Sequence, residues 1–193
     1  MAKHDINRVI EVGQELFQSK GYFNTGTEEI LEKSGYPRSS FYYHFKSKEG
    51  FAGRVIEQYG EGAVAYYKSK LTDSAVGSAL KRIENLADSI TAEAIRREFK
   101  SECLVQKLSI ECAGINDFLR NSTEVQMKKM LKVLNDCIIQ GQETGEIRKD
   151  KDSMEMACMV QAQFYGAFVL GRLSQDGEGM KSSINNVIQY LRE

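Results

Sequence analysis

Between Lys33 and Lys48 the chain carries four cations and no acid, and within that stretch five rings follow one another: Phe41, Tyr42, Tyr43, His44 and Phe45. Cations and hydroxyls grip phosphate oxygens, and an arginine takes a base edge with two parallel N–H groups. The chemistry on offer at "SGYPRSSFYYHFKSKE" (34–49) is contact with a polyanion. Other chemistries find little support. His4 and His44 are the only histidines, and no His/Cys/Asp/Glu spacing suggests a metal site. There is no glycine-rich phosphate loop and no nucleophile–base–acid pattern, so neither an enzyme nor a cofactor is expected.

The elements that must position these side chains are helical. "DINRVIEVGQELFQSKG" puts Ile6, Val9, Ile10, Gly13, Leu16 and Phe17 on one stripe, with Asp5 as N-cap and Gly21 as stop. "TGTEEILEKSG" (25–35) is a short helix ended by Gly35, and Pro37 suits the first turn of a third. On that third helix Phe41 and Phe45 share one face, while Ser39, Tyr42, Tyr43 and Lys46 point the opposite way and Arg38 and His44 lie at the margins. Ser47 caps a long fourth helix running to about Leu71. Three short helices with a tight turn before the third describe a helix-turn-helix unit, whose second member enters a DNA major groove. Spacing alone leaves a second reading open, a self-packing or solvated aromatic cluster.

Further helices are predicted over "DSAVGSALKRIENLADSI", over roughly 97–119, over about 122–141, from Asp152 through about Leu173, and over "SSINNVIQYLR". "QDGEGMK" (175–181) reads as a glycine-rich turn. The fold class expected is all-α: an N-terminal helix-turn-helix domain, 1–54, and a larger helical domain, 55–193. A single proline, no tryptophan and 27% charged residues fit such a chain. The net charge of −1 excludes a protein basic overall, so the acid-free run is a local patch. No apolar stretch approaches the ~20 residues that cross a bilayer. "MAKHDINRVI" lacks the apolar core of a signal peptide, and the four cysteines show no CxxC or disulfide-framework spacing. A reduced, cytoplasmic protein is expected.

"TGTEEILEKSGYPRSSFYYHFKSKE" closely resembles the DNA-binding signature of the TetR family of transcriptional repressors. Thr25, Ile30, Gly35, Ser40, Phe41, Tyr42, His44, Phe45, Ser47, Lys48 and Glu49 fall on it in register, and "ELFQSKGY" (15–22) looks like the family's first-helix ending. Thr27 replaces an apolar residue usual in the second helix, and Ser39 stands where glycine is common; both departures bear on base contacts. The resemblance implies that Thr25, Tyr42 and Lys48 hold phosphates with the N-terminus of the second helix. It leaves Arg38, Ser39 and Tyr43 facing base edges and His44 on either duty; Thr27, Ser40 and Lys46 complete the DNA-facing set. Arg38 alone there is able to bind guanine with two hydrogen bonds, or else it takes a second phosphate.

The resemblance also implies a ligand-binding and dimerisation domain, a homodimer through the last two helices, and an approximately palindromic double-stranded operator released by a small-molecule effector. "MEMACMVQAQFYGAFVLGRL" (154–173) mixes large apolar residues with Ala157, Ala162, Gly166, Ala167 and Gly171, as a close helix–helix interface requires. An ordinary buried core helix has the same composition. "ECLVQKLSIE" and "GQETGEI" look like a subgroup of such repressors in which a cysteine of the Cys-Leu-Val segment responds to electrophiles or quinone-like compounds. Cys103 occupies that position, with Arg96, Arg97, Lys100 and Lys107 near it in sequence to favour a thiolate. The bland reading of such a cysteine is a small buried hydrophobe. Tyr59, Tyr66, Phe164 and Phe168, with Cys112, are candidates to line a ligand pocket. The competing readings are a helical small-molecule carrier or enzyme without DNA binding, and an activator in place of a repressor.

Overall fold

The computed structural model describes residues 5–100 and 102–192. Among the described residues there are nine α-helices and no strand. They are α1 (Ile6–Lys20), α2 (Thr27–Ser34), α3 (Arg38–Phe45), α4 (Lys48–Leu71), α5 (Ala79–Arg96), α6 (Leu104–Cys112), α7 (Asp117–Thr144), α8 (Ser153–Ser174) and α9 (Gly177–Arg192).

The first four helices start and stop where local chemistry dictates. Asp5 caps α1 by accepting the Asn7 N–H at 2.9 Å. Gly21, at φ 84°, and Gly35, at φ 66°, end α1 and α2 in conformations that a side chain resists. Pro37 stands just ahead of α3 as its cap residue, and the Ser47 hydroxyl accepts the Gly50 N–H at the start of α4.

Later boundaries differ from expectation. Asp73 closes a turn by accepting the Ala75 N–H, so α5 begins only after Ser78, which caps it by accepting the Lys81 N–H at 3.1 Å. The single helix expected over 97–119 is broken at both ends. Glu98 and Phe99 have φ of 51° and 54°, which stops α5, and Asn116 restarts the chain as α7 by accepting the Leu119 N–H. The turn expected over 175–181 shrinks, because Asp176 accepts the Glu178 and Gly179 N–H groups and α9 absorbs the glycines.

The chain packs as two compact units that are not consecutive stretches. The first comprises the described residues up to Gly62 together with Cys103–Met127. Its core joins Val9, Ile10, Phe17, Ile30, Phe41, Phe45, Phe51 and Val55 to Leu104, Leu108, Cys112 and Leu119. Phe51 lies at its centre, with its ring 5.0 Å from Phe41, 4.9 Å from Phe45 and 6.1 Å from Phe17. A Cβ on Gly13 would sit 2.4 Å from the Phe51 ring, so only glycine lets α1 lie this close to α4. Packing units and the segments 1–54 and 55–193 are thus different divisions of the chain.

The second unit holds the described residues of Ala63–Glu102 and those from Lys128 on. Leu71, Ile83, Leu86, Leu134, Ile138, Val160, Phe164 and Leu191 are buried in it. Hydrogen bonds tie two of its buried polar side chains into the packing: the Tyr67 hydroxyl donates to Gln161 at 2.9 Å, and Arg82 donates to the Leu71 carbonyl and Gln140 at 2.8 Å each. Asp152 caps α8 through the Met154 and Glu155 N–H groups. On α8, Met156, Val160, Phe164, Ala167 and Gly171 face inward, while Met154, Cys158, Ala162, Gly166, Val169, Leu170 and Leu173 form an exposed stripe. Gly166 has open space where a Cβ would stand; at Gly171 a Cβ would meet Phe99 at 2.8 Å. Gly171 therefore belongs to the unit's own packing and not to the outward stripe. Among the described residues no helix is long and apolar enough to cross a membrane.

Candidate nucleic-acid interface

Helix α3 is divided as its sequence demands. Phe41 and Phe45 are buried, and Tyr43 on the other side is 73% exposed, with Ser39, Tyr42, His44 and Lys46 also exposed. Ser40 is half-buried. Rings bury on one face; hydroxyls and a cation stand on the other. Lys46 ends the helix in a γ-turn-like conformation rare for a non-glycine residue, φ 65° and ψ −41°. The Ser47 N–H closes that turn on the Phe45 carbonyl at 2.8 Å, and the Lys46 ammonium donates to the Tyr43 carbonyl at 2.8 Å.

The N-terminus of α2 carries no side-chain cap, and Thr27 is its first residue. Its first-turn N–H groups therefore carry the positive end of the helix dipole towards whatever lies outside. Thr25 does not join them in the way expected. It is fully buried, its hydroxyl donates to the Gly21 carbonyl at 2.7 Å, and its N–H donates to the Tyr22 carbonyl at 3.3 Å. A hydroxyl that has given its one proton inward closes the α1–α2 turn and offers no donor to a phosphate.

The patch without acids in sequence is not without acids in space. Arg38 pairs with Glu28 on the first turn of α2. Glu29 pairs with Lys20 at 2.5 Å and Lys33 at 3.3 Å, and these bonds, the Lys20 one foremost, hold its carboxyl below the usual range. Arg38 nonetheless remains largely exposed, and exposed pairs of this kind are weak.

Lys48, the first residue of α4, is half-buried with its ammonium 4.2 Å from the centre of the Tyr22 ring. Burial depresses its pKa, while Glu111 opposes that shift. The Glu111 carboxylate accepts the Tyr22 N–H at 2.9 Å and the Phe23 N–H at 2.8 Å. One helical turn earlier on α6, the Lys107 ammonium donates to the Gln18 carbonyl at 2.7 Å. Past the end of α6, the Asn116 amide donates to Glu49 at 2.6 Å. Tyr22, Glu28, Glu111 and Asn116 carry no sequence signal of these roles. Glu111 meets its partners across 89 and 88 residues, and no local pattern encodes such a contact.

Cys103 is half-exposed and is the N-cap residue of α6, so it does not lie within a helix as expected. The cations expected to favour its thiolate have other partners: Arg96 and Arg97 bind Glu93, Lys100 binds Glu98, and Lys107 binds Gln18. Of the pocket candidates, Tyr59 packs against the first unit's core and Cys112 is buried in it. In the second unit Tyr66 is exposed with Lys70 over its ring, whereas Phe164 and Phe168 are buried. Among the described residues no group of three or more His, Cys, Asp or Glu is arranged to hold a metal ion.

Comparison with known proteins is consistent along the chain. Residues 9–55 match the family "Bacterial regulatory proteins, tetR family", and residues 79–187 match the "Tetracyclin repressor-like, C-terminal domain". The HTH-type transcriptional repressor DhaR of Mycobacterium sp. (strain GP1) is 28% identical over 183 residues, 95% of this chain and 90% of that protein. The HTH-type transcriptional repressor NemR of Escherichia coli (strain K12) is 23% identical over 189 residues, 96% and 93% of the two chains. In solved structures the fold recurs in a regulatory protein TetR from Rhodobacter sphaeroides, with TM-score 0.86, 23% identity and coverage of 95% and 97%. It recurs equally in the reduced form of E. coli NemR, with TM-score 0.85, 21% identity and coverage of 96% of each chain.

Proposed function

The chain belongs to the tetR family of bacterial regulatory proteins, and from that premise we propose that it is a dimeric repressor that leaves its operator when a small-molecule or electrophilic effector acts on it. The observation that carries the reading is the division of α3, with Phe41 and Phe45 buried and Tyr42, Tyr43, His44 and Lys46 outward beside the uncapped start of α2. In this reading residues 1–54 read the DNA and 55–193 hold the effector and the partner subunit. The α2 N-terminus, Tyr42 and Lys48 take phosphates; Arg38, Ser39 and Tyr43 take base edges. The exposed stripe on α8 supports a twofold interface through α8 and α9, because a two-fold dimer gives it a cover of its own kind. Such a dimer calls for an approximately palindromic operator, and reading bacterial DNA calls for a cytoplasmic location.

Cys103 is the proposed sensing residue. Its partial exposure at the start of α6 supports this, since a helix N-terminus favours a thiolate. Lys107 and Glu111, one and two turns further along α6, grip the end of α1 and the turn before α2, so an adduct at Cys103 acts on the helix that holds the reading unit. A coupling of about 1–3 kcal/mol gives a several-fold to hundredfold loss of affinity.

The test is a mobility shift on the DNA upstream of the protein's own gene, with and without a maleimide or quinone. Salt-sensitive, sequence-specific retardation that the electrophile relieves is the expected result. Cys103→Ser should bind as the parent does and ignore the electrophile. No specific retardation would sink the repressor reading; undiminished release of Cys103→Ser would instead favour a reversible ligand.

A further inference from the structure

Resting on the reading of α2–α4 as a DNA reader, we propose that Tyr22, held by Glu111, is a positioning residue that presents the Lys48 ammonium to a DNA phosphate. The geometry carries the assignment. The ammonium lies 4.2 Å from the ring centroid, well inside the range in which the negative face of an aromatic ring attracts a cation.

The ring itself is fixed from three sides. It is nearly buried, and it packs against Phe17 at 5.8 Å and Phe23 at 5.2 Å between centroids. Its backbone N–H and that of Phe23 each end on one oxygen of Glu111, at 2.9 and 2.8 Å. Gly21 makes that grip possible twice over. Its φ of 84° turns the chain, and a Cβ there would stand 2.6 Å from the carboxylate. The start of α4 that carries Lys48 is tied down as well, because its neighbour Glu49 accepts the Asn116 amide at 2.6 Å.

A lysine free in solution loses much rotamer freedom when it binds one phosphate oxygen. Here the ring takes one side of the ammonium and holds it, leaving N–H groups on the other side for the anion. Preorganisation of this kind raises affinity without adding a contact to the ligand.

The experiment separates a positioning ring from a merely structural one. A duplex is first selected by the parent protein from a randomised pool. Tyr22 is then replaced by phenylalanine and by mono-, di- and pentafluorophenylalanine, which drain the ring's negative face at nearly constant shape. Affinity for the selected duplex should fall stepwise, roughly two- to fivefold across the series, as expected for a cation–π contact of ordinary strength. The salt dependence should stay unchanged, because the phosphate contact persists. In the Lys48→Met background the same series should be flat, and the salt slope should drop by about one contact. Thermal melts confirm that each variant is folded. A flat series with Lys48 present overturns the proposal, and so does affinity that rises with fluorination, since the ring would then be holding the ammonium away from DNA. If the parent enriches no duplex, the DNA-reading function falls with it, a result distinct from either.

Discussion

Arg38, the first residue of α3, is paired across the inter-helix turn with Glu28 in the first turn of α2. On the proposed reading of α3, the side chain best equipped to read guanine is engaged by an acid before DNA arrives, and binding exchanges one partner for the other. Both groups are more than half exposed, so the pair is worth little and the exchange is cheap. Glu28→Gln should tighten binding to every duplex by up to about fivefold at low salt, in line with ~0.2–1 kcal/mol for an exposed pair. Arg38→Ala should weaken binding and also relax preference at one base position per half-site. Fluorescence anisotropy on selected and random duplexes reads both effects. Unchanged affinity in Glu28→Gln would mean that Arg38 meets the DNA without leaving its acid.

The two glycines of α8 should part company. Gly166 faces open space on the outward stripe, so Gly166→Trp should leave the fold intact and give monomer by light scattering. Gly171 faces Phe99, and Gly171→Leu should cost the second unit about 1–3 kcal/mol by overpacking. A dimeric Gly166→Trp would move the subunit interface away from this face.

The buried thiols make a prediction about alkaline pH. Burial pushes both Cys112 and Cys137 up to about 11, against 9.0 for a free thiol. Each is a group whose folded pKa is raised, so its contribution to stability is fully present below pH 9.0 and is lost as the pH rises towards about 11. Urea titrations of the Cys112→Ala/Cys137→Ala variant should show a shallower loss of stability across that window than the parent. A parallel loss in both proteins would refute the assignment. At neutral pH a maleimide should label Cys103 first and reach Cys112 and Cys137 only on unfolding, as peptide mass mapping will show.

A fragment of residues 1–62 should not fold alone. Leu104, Leu108 and Leu119 are fully buried in the first unit's core, and each contributes about 1.5–3 kcal/mol by leaving water. Their combined loss is comparable with the ~5–15 kcal/mol stability of a whole domain. Circular dichroism should show no cooperative melt for 1–62, and a cooperative melt would show the core to be sufficient without α6.

Helices α1 to α4 were legible because their signals are local. Asp5, Gly21, Gly35, Pro37 and Ser47 each act within a few residues of themselves, and the 3.6-residue period places Phe41 and Phe45 inward unaided. The breaks at Glu98, Phe99 and Asn116 were not legible. Positive φ at two non-glycine residues reflects tertiary packing rather than propensity, and an asparagine cap looks like any surface asparagine. The outward face of α3 could be read from its ring spacing. The supports behind it could not: Glu111 is adjacent to Tyr22 only because α6 folds back onto α1.

Lys107, Glu111 and Asn116 hold the end of α1, the turn after it and the start of α4. Leu104 and Leu108 on the same α6 supply the apolar attraction, which has no direction of its own. Hydrogen bonds do have direction, so the three polar contacts fix which way round and how far along α6 lies on its neighbours. Losing one should leave a cooperative melt and blur that register, broadening the Tyr22 and Phe23 amide signals in solution.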